Sequence, residues 1–275
     1  MKNNVVVFAT LSFVLGGCGS TAVPTQGTAS SVALSTAGQH ATFAPPDQKY
    51  GGSQEPIYFC DYHDVLWTVN TAGTEVTEVG SAGVFLTDIA FDPKNGNLYG
   101  ISTTGFYRVN AETGVATFIG NTGLDVGNAL IFNQHGKAFA ASYDTTDLYS
   151  IDVRTGAATT IGSNNAYESS GALTFYNQGL VLSGYAGSSN YLVWLNPKTA
   201  AVKKIVALDV NNLFGLASTG KGILYGFANT DFYRIYPTRK DIKRRTVLIV
   251  NLDNLNPDVA NVAGAAYDGN FQQSR

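Results

Sequence analysis

Residues 97–120 read NLYGISTTGFYRVNAETGVATFIG. Three short β runs lie in that stretch. NLYGIS (97–102) and GFYRVN (105–110) alternate apolar and polar residues, and VATFIG (115–120) follows the turn AETG. Gly105 and Gly114 fall where the backbone reverses tightly, a conformation glycine reaches without steric cost. A lone meander of this kind cannot bury its apolar faces, so copies of it must stack.

The copies are present. LWTVNTAGTEVTEVG (66–80), FYRVNAETGVATFIG (106–120) and LYSIDVRTGAATTIG (148–162) are the clearest. LVWLNPKTAAVKKIV (192–206) lacks the closing glycine, and FYRIYPTRK (232–240) opens a further copy before a basic insertion. Their starts at 66, 106, 148, 192 and 232 step by 40, 42, 44 and 40 residues, the length of one four-stranded propeller blade. Between copies stand two more strand signals each: DIAFDP then NLYGIS, NALIFN then KAFAAS, GALTFY then LVLSGY, FGLAST then ILYGFA.

With strands labelled A to D from the axis outward, blade one is 87–92, 97–102, 105–110 and 115–120, and three full blades follow. Three strand signals precede the first A strand: IYFCD (57–61), VLWTVN (65–70) and EVTEVG (75–80). One, AGAAYD (263–268), follows the last D strand. The fold class is therefore expected to be all-β. It is a five-bladed β-propeller over residues 57–270, closed by a C-terminal inner strand joined to three N-terminal strands, with 271–275 as a tail. Such closure leaves no long exposed edge.

The copies resemble the LYxID-TG-ATxIG repeats of bacterial secreted β-propellers, many of undefined function, over about residues 57–268. That resemblance implies blade structure and no particular activity. Trp67, Tyr107 and Tyr149 share a repeat position and are expected to serve blade packing.

At the N-terminus, Met-Lys-Asn-Asn precedes the apolar run VVVFATLSFVLGG and Cys18. A lysine before an apolar stretch too short to span a bilayer reads as an export signal, residues 1–17. Leu15-Gly16-Gly17-Cys18 resembles the lipobox of bacterial lipoproteins. The resemblance implies a lipid on Cys18, attachment to a membrane through it, and residence in the cell envelope. The alternative is an ordinary secretory signal with an incidental cysteine. Residues 18–56 are rich in Ser, Thr, Ala, Gly, Gln and Pro; they bury too little surface to offset ordering and read as a flexible tether. Cys60, the other cysteine, lies in a strand-like run and is expected to be a buried, inert thiol.

Charged residues make up 13%, with a net charge of −3, so the concentrated basic surface that nucleic acid requires is missing. The blade assignment nevertheless sorts the charges by face. D–A connections and B–C loops emerge on one side and gather eleven of the 20 acidic residues, with no Lys or Arg among them. A–B and C–D turns gather twelve of the 17 basic residues on the other. The plain explanation is a solvated surface. The sharper one has the tether entering on the basic side and anionic headgroups attracting it.

The acidic face surrounds one mouth of the central channel. Asp61, His63 and Asp64 lie within four residues, with Asp88 on a neighbouring blade; Asp125, Asn128, Glu168 and Asn212 can approach the same mouth. Calcium, which takes about six to eight oxygens, is the one cofactor such a face suggests, although no EF-hand spacing occurs. One histidine does not make a zinc site. Glycosidase chemistry needs two carboxylates about 5–9 Å apart; Asp88 has Ala129, Ala172, Gly215 and Gly264 as its counterparts on the other A strands. No G-x-S-x-G elbow, Walker loop or H-E-x-x-H occurs, and His40, His63 and His135 are scattered. The expected function is a monomeric, lipid-anchored binding module for an envelope protein, a glycan or another polar ligand. The alternative is a divalent-cation-dependent hydrolase of a sugar or lactone at the channel.

Overall fold

The computed structural model of the protein describes residues 56–220 and 222–267. The export signal, Cys18, the tether, His40, Lys221 and the tail lie outside the described residues.

The first three strands are β1 (Pro56–Asp61), β2 (Val65–Asn70) and β3 (Val76–Ser81). Blade one follows as β4 (Asp88–Phe91), β5 (Leu98–Ile101), β6 (Gly105–Val109) and β7 (Ala116–Asn121). Blade two is β8 (Gly127–Phe132), β9 (Ala138–Ser142), β10 (Asp147–Ile151) and β11 (Ala158–Ser163). Blade three is β12 (Glu168–Tyr176), β13 (Gly179–Ala186), β14 (Ser189–Leu195) and β15 (Val202–Ala207). Blade four is β16 (Leu213–Ser218), β17 (Leu224–Ala228), β18 (Asp231–Ile235) and β19 (Thr246–Asn251). Last comes β20 (Val262–Tyr267), which lies beside β1 in a sheet of order β20-β1-β2-β3.

The chain is thus a five-bladed β-propeller, closed as the repeat arithmetic requires. Across the closure Ile57 faces Tyr267, Phe59 faces Ala265 and Cys60 faces Gly264. The inner strands β20, β4, β8, β12 and β16 pack side by side around the axis. The apolar core lies between neighbouring blades. At the junction of blade four with the closing blade, Phe59 stacks on Phe227 at 5.6 Å, and Phe227 on Phe232 at 4.8 Å. Fully burying each such ring contributes about 1.5–3 kcal/mol. Trp67 and Tyr149 are buried in these cores, and Tyr107 meets Phe118 edge-on, so this aromatic column packs blades as expected.

The [VI]-G that recurs at the end of three D strands has a physical reason. In β3, β7 and β11 the register slips by one residue just before the glycine, leaving Val79, Ile119 and Ile161 bulged. The bulge turns each of these side chains toward the core from an otherwise exposed outer strand. The glycine then meets the C–D turn of the next blade. A Cβ on Gly120 would stand 1.9 Å from the Thr155 carbonyl oxygen, on Gly80 2.4 Å from that of Thr113, and on Gly162 2.5 Å from that of Thr199.

The turn itself is an Asx turn. Asn110 Oδ1 accepts from Glu112 and Thr113 N–H, Asp152 Oδ1 from Arg154, and Asn196 Oδ1 from Lys198. The residue after its Thr takes positive φ: 80° at Gly114, 79° at Gly156, and 61° at Ala200, where the repeat has lost its glycine.

Two substitutions test this blade-to-blade joint. Gly120→Ala is expected to destabilise the protein by about 2–3 kcal/mol, since the added methyl overlaps backbone that cannot yield. Ala200→Gly is expected to stabilise it by up to about 1 kcal/mol by relieving a left-handed alanine. Urea unfolding of both variants measures the pair.

Candidate channel-mouth site

The axis is filled rather than open. Ala129, Ala172, Gly215 and Gly264 are all buried at equivalent positions of four inner strands, and the fifth position holds Asp88, 1% exposed. A Cβ on Gly264 would lie 2.4 Å from both the Cα and Oδ1 of Asp88. Asp88 Oδ1 accepts from the N–H of Ile89 (2.9 Å) and Ala265 (3.2 Å), and Oδ2 from Leu130 N–H (2.7 Å). The Leu173 N–H is a further donor. One side chain therefore joins β4 to β20, β8 and β12. Burial pushes its pKa well above the usual carboxylate value, while those N–H donors pull in the other direction.

Asp61 is a second buried carboxylate with structural work to do. Oδ1 accepts from His63 and Val65 N–H at 2.9 and 3.0 Å, which shapes the B–C loop of the closing blade. Oδ2 accepts from Trp67 Nε1 at 2.9 Å and from Ala260 N–H at 3.1 Å, immediately before β20. Asp61 and Asp88, expected among ligand-facing residues, thus have both oxygens turned to the protein. Between them lies Cys60, buried, with its thiol bonded weakly to the Leu86 carbonyl (3.4 Å). Burial, and secondarily the neighbouring Asp88 and Asp61, push that thiol well above its ordinary pKa, as an inert cysteine requires.

The remaining candidates lie on D–A and B–C connections or on the A-strand starts that follow them. His63, Asp125 and Asn212 are exposed, and Asp64 is half-buried with φ +62°. Asn128 is buried; its Nδ2 donates to the Ser169 carbonyl at 3.1 Å, and its Oδ1 has no hydrogen-bond partner. Glu168 hydrogen-bonds Tyr185, whose hydroxyl is held above its ordinary pKa by burial first and then by Glu168 and Tyr143. Among the described residues no three His, Cys, Asp or Glu side chains come together as a metal-binding group.

Sequence reading missed the aromatic residues that share this face. Tyr62, 49% exposed, meets Phe85 edge-on at 5.2 Å and lies over Phe214 at 6.5 Å. These three come from the closing blade's B–C loop, the connection entering blade one, and the start of β16. Phe214 occupies a bulge of β16, and its backbone and Cβ crowd Gly171 of β12. Around the rim, Tyr143, 52% exposed, stacks on Tyr185 at 5.4 Å beside Glu168. The signal was present, since Tyr62, Phe85, Tyr143, Tyr185 and Phe214 all fall in or beside D–A and B–C segments. They lie outside the repeated motif, and no period points to them.

The other mouth holds a cavity of about 80 Å³ where the inner strands end, lined by Phe91, Asp92, Ile131, Thr174, Phe175 and Tyr267 among others. At about 15 Å³ each, it has room for roughly five waters. Its walls were readable too: Phe91, Phe132, Phe175 and Tyr267 stand at one position of four A strands, each three residues after the Asp88 level.

No protein-family model matches the chain, and no curated protein sequence matches it. Solved structures match by fold. A chain of a nidogen/laminin complex superposes with a TM-score of 0.50 at 12% identity, covering 79% of this chain and 86% of that one. A protein of unknown function from Bacteroides caccae gives a TM-score of 0.44 at 12% identity, covering 71% and 73%. The first likeness shows the propeller fold and nothing finer.

The Asp88 environment sets a pH dependence with a definite sign. A carboxyl raised in the folded state binds its proton more tightly there than in the unfolded chain. Its contribution is fully present below the unfolded pKa, about 3.9, and is lost as pH rises toward the folded value. Folding stability measured from pH 4 upward is therefore expected to decline more steeply in the wild type than in Asp88→Asn. That variant should also be less stable at pH 4 by about 1–3 kcal/mol, because an amide NH₂ cannot accept from a backbone N–H.

Proposed function

We propose that the protein is a lipid-anchored envelope module that binds, through its acidic channel-mouth face, a cationic segment of a partner protein. The observation that carries this reading is the pairing of exposed aromatic rings with uncompensated acid. Tyr62 and Tyr143 stand half-exposed among D–A and B–C connections that contain Asp64, Asp125, Asp144, Asp253 and Asp258 but no Lys or Arg. A ring face beside solvated carboxylates attracts guanidinium and ammonium groups, each contact being worth about 0.5–1 kcal/mol at exposed sites. The blocked axis favours a surface for a chain over a pocket for a small molecule. Asp61 and Asp88, the two buried acids, spend their oxygens on backbone and indole N–H groups, which disfavours the hydrolase alternative.

The anchor rests on the lipobox-like Leu15–Cys18 motif and on the place where the propeller begins. Pro56 pairs with Asn70, so the chain joins the ring on the side opposite the acidic face.

Titration calorimetry with a hexa-arginine peptide tests the binding reading. Binding is expected to weaken with salt, and to fall about tenfold when Tyr62→Ala and Asp125→Asn are combined, both side chains being solvent-facing. Equal affinity in that variant, or tighter binding of an uncharged hexasaccharide, would contradict it. Incorporation of labelled palmitate in a bacterial host, abolished by Cys18→Ser, tests the anchor separately.

A further inference from the structure

Blade four breaks the repeat at one place. Tyr236 stands where the other copies have Asn70, Asn110, Asp152 and Asn196, so the Asx turn has no acceptor side chain. Residues 236–245, YPTRKDIKRR, join β18 to β19 in place of a five- or six-residue turn.

This longer connection is fixed from within. The Arg239 guanidinium lies 3.7 Å over the Tyr236 ring, and its Nη1 donates to the Arg244 carbonyl at 2.8 Å. Arg245 Nε donates to the Arg239 carbonyl at 2.8 Å, and its Nη1 reaches the Ala207 carbonyl on β15 at 2.7 Å. Asp241 accepts from Lys243 N–H and opens a short 3-10 turn, Ile242–Arg244, while pairing with Arg244 at 3.5 Å. Two arginines therefore hold the loop shape, and what it presents outward is Lys240, Lys243, Arg244 and Ile242. The three cations are exposed, and the isoleucine is 38% exposed between them.

We propose that this loop docks the propeller onto an anionic phospholipid surface, with Ile242 entering the interface and the flanking cations meeting lipid phosphates. Residues 239–245 carry five basic side chains against one acid, Asp241. Complementarity of charge would suit any polyanion, but an exposed isoleucine set among the cations favours an apolar layer beneath the phosphates. A bilayer offers that and a nucleic acid does not. Position agrees. The loop lies on the C–D side, where Pro56 begins the ring, and the neighbouring β2–β3 turn packs on blade four through Gly73 against Ile249 and Val250. Lys203 and Lys204, exposed on the β15 strand that Arg245 grips, extend the same cationic zone. The proposal does not depend on what the acidic face binds.

The test uses residues 19–275, which lack both the apolar leader and Cys18, so that neither acylation nor the leader contributes to vesicle binding. Co-sedimentation is measured with vesicles of phosphatidylcholine alone and of phosphatidylcholine and phosphatidylglycerol in equal parts. Retention is expected on the anionic vesicles, weakening with salt. Lys240→Gln with Lys243→Gln is expected to reduce it about 25-fold, at about fivefold per charge, with unfolding unchanged because neither side chain is buried. In a second chain, Ile242→Cys carries an environment-sensitive fluorophore; Cys60 is buried and stays unlabelled. Its emission is expected to shift to the blue on anionic vesicles only. Equal retention on both vesicle types, undiminished retention of the double variant, or binding without a shift at position 242 each overturns the proposal.

Discussion

A closed ring of sheets has one weak joint, the place where the two ends of the chain meet. Here that joint is β20 against β1, and two buried carboxylates secure it. Asp61 accepts from Ala260 N–H just before β20, and Asp88 accepts from Ala265 N–H within it. Each is almost or entirely shielded from water, so its partners face little competition, and loss of either side chain would strand several buried donors. The other axis positions are small for the same reason. A five-bladed ring brings its inner strands so close that Gly264 has no room for a Cβ beside Asp88. The closure therefore depends on side-chain size as much as on hydrogen bonding.

The outer part of each blade solves a different problem. An outermost strand is an exposed edge, and bulging Val79, Ile119 or Ile161 inward both anchors the strand and disrupts its edge. The following glycine lets the next blade's turn come into van der Waals contact with its backbone. Where that glycine is absent after β15, the next connection is no longer an Asx turn, and Arg245 spans the gap to the Ala207 carbonyl instead. The outward side chains of that loop, Lys240, Ile242, Lys243 and Arg244, take no part in holding it to blade three.

Much of this was legible in the sequence. Alternation in GFYRVN, the glycines of the turns and the 40–44-residue period were enough to place the strands, the five sheets and the closing pair. Those features repeat, and repetition turns weak local signals into a strong one. The site was less legible because it does not repeat. Asp61 and Asp88 look like surface acids when charge alone is counted; their burial follows from how five strands converge, which no single strand reports. Tyr62 and Phe214 come from different blades, and their contact across the mouth arises only when the ring is assembled. The aromatic column Phe91, Phe132, Phe175 and Tyr267 shared the A-strand register yet looked like ordinary core. The ends of the inner strands open it onto a cavity.

Chain direction sets which loops leave together, because every strand delivers its loops alternately to one end of the blade and the other. The B–C and D–A segments hold Tyr62, Phe85 and Tyr143 with several aspartates, while the basic insertion is a C–D connection; at the rim the two meet, where Asp209 accepts from Thr246 beside Arg245. That arrangement exists only if the last strand belongs to the first sheet, since any other closure would reverse the sense of the leading strands relative to the rest. Native-state hydrogen exchange addresses the point directly. The amides paired across β1 and β20, from Tyr58–Ala266 to Cys60–Gly264, are expected to exchange only through global unfolding, at the same free energy as the inner strands of blades two and three. Exchange of β20 through a separate, low-energy opening that leaves the other inner strands protected would contradict it.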